Sequence, residues 1–337
     1  MLQKIIALLM LLTMMTACGQ NTTSPSTETD TTPDNSTSEE PVSIQLGVGY
    51  IPNVQFAPYY VAKAKGFFAD EGLDVSLEHG FETDFVALTA KGDREFAVAS
   101  GDQVILSRAQ GLPIVYVMKW YERFPIAIMA PKDSGIDSPE ALTNHTVGIP
   151  GPFGASYVAW KALLYATGVD ESSIDLESIG FTQAEAVSTG QVDAAVVYIA
   201  NEPIQLSQQG IELNIFEISD YIDLVSNGIV TNETVIKENP ELVQRMVRAS
   251  LRGLQYTIDN PDEAFDIVRQ EVAEITDEDA PTQRMVLDAS IELWKTDQFG
   301  KTSPEYWVKS IEFMKATGLL EGDVDIDRLY SNDFVTN

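Results

Sequence analysis

Residues 43–49 alternate Ile44, Leu46 and Val48 with smaller or polar neighbours, which is the period of a half-buried strand. Tyr50-Ile51-Pro52-Asn53 breaks the alternation and predicts a loop after the strand. Over 57–68, Tyr60, Val61, Ala64, Phe67 and Phe68 recur at helical spacing. Pro58 falls in the first turn, where a missing N–H costs little. Gly66 weakens the end of this helix, and Glu71-Gly72 turns the chain into a second alternating run over 73–77. A strand–loop–helix–strand unit sets its loop and helix start at the C-terminal edge of a sheet, where open α/β sheets bind ligands.

The same pattern continues. Strands are predicted at 94–100, 114–118, 126–130, 146–150 and 192–198, and again near 224–232. Helices are predicted at 85–91, 104–110 and 157–167, from Gln183 to Gly190, and after Pro203. From Glu233 onward the chain reads as helical, with stretches at 240–256, 261–274, 281–296 and 304–317. Leu242, Met246, Val247, Leu251 and Leu254 form the apolar stripe of the first of these. Trp294 and Trp307 read as packing residues or as residues edging a cleft. There is no internal repeat, and the class is α/β.

The N-terminus changes the picture of where the chain works. Lys4, an apolar run over 5–15 and Met15-Thr16-Ala17-Cys18 form a signal peptide ending in a lipobox, with Cys18 as the acylated residue. The alternative is an ordinary signal peptide that contains a Cys. Cys18 is the only cysteine of 337 residues, which excludes a disulfide and thiol catalysis. Residues 19–42 are expected to form a polar, disordered tether. The 51 Asp and Glu against 21 Lys and Arg give a formal net charge of −30, which argues against a nucleic-acid partner. Adaptation to high salt is a rival account of the acidity.

The run GYIPNVQFAPYYVAKAKGFFADEGLDV resembles the opening of NMT1-like substrate-binding proteins, in the thiamine-pyrimidine/riboflavin branch. Tyr50, Pro52, Asn53, Tyr60, Ala62, Gly66, Phe67, Phe68, Gly72, Leu73, Asp74 and Val75 meet the motif. With the later SGDQVILSRAQGLP, the chain is most similar to riboflavin-binding components of bacterial ABC importers, over roughly 41–320. The resemblance implies a two-lobe periplasmic-binding-protein fold of type II, each lobe a mixed sheet flanked by helices, with a cleft between. The implied layout is a signal peptide at 1–18, a tether at 19–42, lobe 1 at 43–131 and 226–337, and lobe 2 at 132–225. It further implies an extracytoplasmic monomer held to the membrane by acylated Cys18, with an ABC permease and its ATPase as partners. Riboflavin would then be a transported ligand, with no cofactor. A thiamine pyrimidine precursor, a sensor or adhesion lipoprotein, and a pyrimidine synthase are the alternatives.

Catalysis finds little support in the residues. His79 and His145 are the only histidines, and no nucleophile elbow, HExxH or cysteine cluster occurs. Between Ala141 and Val225, Lys161 is the only Lys or Arg, so an anionic ligand would lack cationic partners there. The expected ligand is therefore neutral, planar and hydrogen-bonding. Candidate stacking residues are Tyr50, Phe56, Tyr59 and Phe81, with Trp120, Phe153, Tyr157 and Tyr198 further on. Candidate polar contacts are Asn53, Glu82, Asp84, Asp102, Asn201 and Glu202. Ser100 and the glycine-rich loop at Gly154 are added as backbone or hydroxyl contacts, although each also suits a helix cap or a tight turn. Trp120 and Tyr121 are adjacent; on a strand only one of them would face the cleft. No metal site is expected.

Overall fold

The computed structural model describes residues 40–336. The expectations for the signal peptide, for lipidation at Cys18 and for the tether over 19–39 lie outside these residues. Val42, placed at the end of the tether, is instead the first residue of a strand.

The strands are β1 (Val42–Val48), β2 (Leu73–Glu78), β3 (Ala97–Ser100), β4 (Ile114–Lys119) and β5 (Ile126–Pro131), then β6 (Thr146–Ile149), β7 (Asp175–Ser178), β8 (Ala194–Tyr198), β9 (Leu213–Glu217) and β10 (Asn227–Asn232). They form two mixed five-stranded sheets, ordered β2-β1-β3-β10-β4 and β7-β6-β8-β5-β9. In the first sheet β1 runs parallel to β2 and β3, and β10 is antiparallel to β3 and β4. The second repeats the plan: β6 is parallel to β7 and β8, and β5 is antiparallel to β8 and β9. The chain thus crosses between sheets twice, over 120–125 and over 218–226.

One strand sits elsewhere than expected. A boundary at 131/132 puts Ile126–Pro131 in the first lobe, yet it pairs with β8 and β9 of the second sheet. An apolar run suits the middle of either sheet, and its partners are more than sixty residues away.

The helices are α1 (Ala57–Ala64), α2 (Phe67–Asp70), α3 (Glu82–Lys91), α4 (Gly101–Ala109), α5 (Gly154–Thr167) and α6 (Gln183–Ser188), then α7 (Glu202–Gln208), α8 (Glu233–Glu238), α9 (Pro240–Asp259), α10 (Pro261–Glu271), α11 (Ala280–Trp294) and α12 (Pro304–Ala316). Gly66, at φ 76°, splits the helix expected over 57–68 into α1 and α2. Helices α3, α4 and α5 each start three residues before the apolar period. Their first turns hold polar or small residues that carry no hydrophobic signal.

Leu46 and Val48 of β1, Tyr59 and Tyr60 of α1, and Met246 and Val247 of α9 share one apolar core. A second core joins the other side of the first sheet to the second sheet through Trp160 of α5 and Trp307 and Phe313 of α12. Trp307 packs on Tyr116 and Tyr330, away from the cleft. Helix α9 approaches α1 closely at Gly253, where a Cβ would lie 2.2 Å from the carbonyl oxygen of Pro58 and 2.8 Å from the Ala62 Cβ. Alanine in a helix interior is ordinarily favoured over glycine by about 1 kcal/mol. Here the clash with backbone outweighs that gain, so Gly253→Ala is expected to destabilise the chain by about 1–3 kcal/mol in urea unfolding. A variant as stable as the parent would show that α1 and α9 do not meet this closely.

Candidate ligand-binding cleft

The two crossings leave a cleft between the sheets with about 870 Å³ free of protein atoms, counting the part open to solvent. The first lobe contributes the loop after β1, the start of α3, the chain after β4 and the start of β10. The second contributes the starts of α5, α6 and α7 and the end of β8. Apart from Val98 inside β3 and Asn227 at the start of β10, the contributors lie at strand ends or helix starts on the ligand-facing edge of a sheet.

The rings meet across the cleft. Tyr50 and Phe181 stand edge to face at 5.0 Å, Phe81 and Phe153 at 5.4 Å, and Phe81 and Phe181 lie 5.1 Å apart. Phe56, Trp120 and Tyr121 floor the first-lobe side, with Trp120 and Tyr121 4.8 Å apart and Trp294 behind them. Polar bonds also span the gap. The Tyr50 hydroxyl donates to Glu202 Oε1 at 3.4 Å and accepts from Asn201 Nδ2 at 3.3 Å. Asn227 Nδ2 donates to the Tyr198 hydroxyl at 3.3 Å.

Of the expected site residues, Tyr50, Phe56, Phe81, Glu82, Trp120, Tyr121, Phe153, Gly154, Tyr198, Asn201 and Glu202 line the cleft. The other six do not. Asn53 accepts the Gln55 N–H at 2.9 Å and caps the turn Val54–Phe56. Tyr59 is wholly buried behind Trp120, 5.2 Å from its ring. Asp84 is exposed on α3, one residue beyond the lining, and Tyr157 packs into the core under α5. Ser100 is buried and donates its N–H and hydroxyl to Glu82 Oε1, at 2.5 and 2.8 Å. Asp102 is buried behind Glu82 and accepts from Gln103 Nε2 at 2.6 Å. Both Trp120 and Tyr121 reach the cleft because β4 stops at Lys119. Each then donates its backbone N–H to the Asn227 carbonyl, so strand alternation no longer applies.

Gln55, Phe181, Gln183 and Asn227 also line the cleft and were not among the expected residues. A usable signal existed for Gln183, which opens the helix after a parallel strand as Glu82 does. Four lining side chains hold a buried polar atom without a protein partner: Gln55 Nε2, Trp120 Nε1, Gln183 Oε1 and Asn227 Oδ1. Two of these atoms are donors and two acceptors. Buried polar groups are rarely left unpaired, so a complementary ligand is the natural partner for this set.

The electrostatics favour a neutral guest. The lining contains no Lys or Arg. Lys119, just before it, is held by Glu122, and Lys161 on α5 by Glu171. Burial, with the Asp102 charge added, raises Glu82 to a pKa of about 7. Burial also raises Glu202 to about 7, although the Tyr198 N–H and the Tyr50 hydroxyl donate to it. Asp102 is shifted upward by burial as well. Outside the cleft, His79 meets the Tyr60 hydroxyl at 2.9 Å and His145 meets Asp193 at 3.1 Å, so neither is placed as a base toward it. Among the described residues no group of three or more His, Cys, Asp or Glu could hold a metal ion, and no helix is long and apolar enough to cross a membrane.

Known proteins resemble this chain over most of its length. A riboflavin-binding protein of Chloroflexus aurantiacus is 42% identical over 97% of this chain and 96% of its own. A formylaminopyrimidine-binding protein of Halalkalibacterium halodurans is 29% identical over 98% of both. A 4-amino-5-hydroxymethyl-2-methylpyrimidine phosphate synthase of Legionella pneumophila is 23% identical over 87% of this chain and 92% of its own. Among solved structures, the periplasmic aliphatic sulphonate binding protein of Escherichia coli superposes with a TM-score of 0.70, at 15% identity over 88% of this chain and all of the other. That likeness concerns the fold: two lobes, each a mixed sheet flanked by helices, of the periplasmic-binding-protein type. The model of NMT1/THI5 like proteins matches residues 53–264, and the chain belongs to the NMT1/THI5-like family.

Proposed function

We propose that this chain is an extracytoplasmic binding lipoprotein, anchored through Cys18, that captures riboflavin as a monomer and presents it to an ABC permease and its ATPase. The observation that carries the ligand is the cleft itself: aromatic walls, no cation, and two unpaired donors with two unpaired acceptors. An isoalloxazine offers a flat face for the rings, carbonyl oxygens for Gln55 and Trp120, and an imide N–H for Gln183 or Asn227. The 42% identical riboflavin-binding relative supports the same assignment. Transport follows from closure: the ligand bridges the lobes and favours the closed form by its differential affinity for that form. The synthase alternative asks for chemistry that the cleft does not offer. Its only titratable side chains are carboxyls and tyrosines, with no histidine, lysine or cysteine. The formylaminopyrimidine alternative rests on the 29% identical relative.

Titrating the purified protein with riboflavin should quench flavin emission with saturable one-to-one stoichiometry. Absence of flavin binding, together with a thermal shift on adding a formylaminopyrimidine, would sink the flavin assignment. Removing one hydrogen-bonding partner while keeping an aromatic ring, as in Trp120→Phe, should weaken riboflavin about five- to tenfold, and Gln183→Ala by a similar factor. Unchanged dissociation constants would mean that these groups do not reach the ligand.

A pH effect follows from Glu202. Its carboxyl titrates near 7 when folded and near the ordinary 4.5 when unfolded. The stability that its protonated form contributes is full below about 4.5 and is lost as pH rises through about 7. Glu202→Gln, which cannot ionise, should therefore gain in melting temperature relative to the parent between pH 4.5 and 7, with a constant difference above that. A difference that is flat across this window would contradict the buried carboxyl.

A further inference from the structure

Behind the cleft lies a second chamber that the flavin assignment leaves unused. It has about 820 Å³ free of protein atoms, counting the part open to solvent, and shares Tyr50, Phe181 and Glu202 with the cleft. The shared wall is built at a conformational cost: Tyr50 holds φ 64°, a region that aromatic residues rarely enter. Glu202 in that wall is only 3% exposed. The remaining lining is mixed: Ile51, Pro52, Ala184 and Ile275 stand beside Glu185, Glu274, Asp279, Gln205 and Gln283, and it contains no Lys or Arg. Two amides offer unpaired acceptors: Gln283 Oε1 in the chamber, and Gln183 Oε1 in the cleft, on the same turn as Thr182 and Ala184 of the chamber wall. Carboxylates and amide oxygens without cations suit hydroxyl groups, which donate, and oppose a phosphate, which brings negative charge of its own.

We propose that this chamber receives the hydroxylated side chain of the ligand, and that Glu185, Glu202, Glu274 and Asp279 make the protein select the free vitamin over its phosphate ester. The proposal rests on the flavin assignment above and adds to it the recognition of the tail. A ring bearing a neutral polyol places donors among fixed acceptors. The same ring bearing a terminal phosphate places about two negative charges near four carboxyl groups, of which Glu202 is buried and the other three are exposed.

The experiment compares riboflavin, lumiflavin (the same ring without the hydroxylated chain) and riboflavin 5′-phosphate, each titrated at low and at physiological salt. The parent protein should bind riboflavin at least tenfold more tightly than lumiflavin, and roughly a hundredfold more tightly than the phosphate ester at low salt. The variant Glu185→Gln/Glu274→Gln changes two exposed carboxylates with little disturbance of the fold. It should tighten binding of the ester by about tenfold at low salt and leave lumiflavin unchanged, which also reports an intact cleft. The inference is overturned if lumiflavin binds as tightly as riboflavin, if the parent takes the ester as well as the vitamin, or if the variant leaves their ratio where it was. If neither lumiflavin nor riboflavin binds while a formylaminopyrimidine does, the flavin assignment falls and takes this inference with it.

Discussion

The carbonyl of Asn227 accepts the backbone N–H groups of both Trp120 and Tyr121, at 3.0 and 3.3 Å. This junction joins the chain leaving the first sheet to the chain returning to it. The Ser226 hydroxyl donates to the Tyr121 carbonyl beside it and strengthens the tie. Backbone groups at the base of a cleft need partners as much as those in a core, and here each crossing supplies them to the other. The junction also turns two adjacent aromatics toward one side and sets the Asn227 side chain within reach of Tyr198.

Above that floor, the cleft combines two costs that a ligand relieves. Polar atoms of Gln55, Trp120, Gln183 and Asn227 are buried without partners, and the carboxyl of Glu202 is held away from water. Each cost is modest, but they face one space, and a neutral hydrogen-bonding guest relieves several together. The same arrangement penalises an added negative charge, since Lys119 and Lys161 are committed to Glu122 and Glu171. Ring contacts join the two lobes across the gap, Tyr50 with Phe181 and Phe81 with Phe153.

The organising unit was readable because its signals are local: the alternation of β1, Pro58 in the first turn of α1, and Gly66 at its end. Eleven of the cleft residues could be named for a similar reason, since they sit at strand ends and helix starts of an α/β chain. The six that do not line the cleft were set by their neighbours, and one of them, Asn53, lines the adjoining second space. Asn53 was drawn into capping a turn, Ser100 and Asp102 into supporting Glu82, and Tyr59 into backing Trp120. Asp84 and Tyr157 lie one position or one helix face away from the opening. Gln55 and Asn227, in turn, became site residues only because the turn Val54–Phe56 and the returning strand bring them to the floor.

By itself, the order of apolar and polar residues determined the α/β class, the positions of most strands and helices, and a shortage of cations that disfavours anionic ligands. Those properties depend on near neighbours along the chain and on composition. Only the tertiary structure decided that Ile126–Pro131 belongs to the second sheet, that Trp120 and Tyr121 share the cleft, and which polar atoms are left unpaired. Each of these depends on pairing between segments tens to more than a hundred residues apart, for which an apolar run or a lone polar residue carries no address.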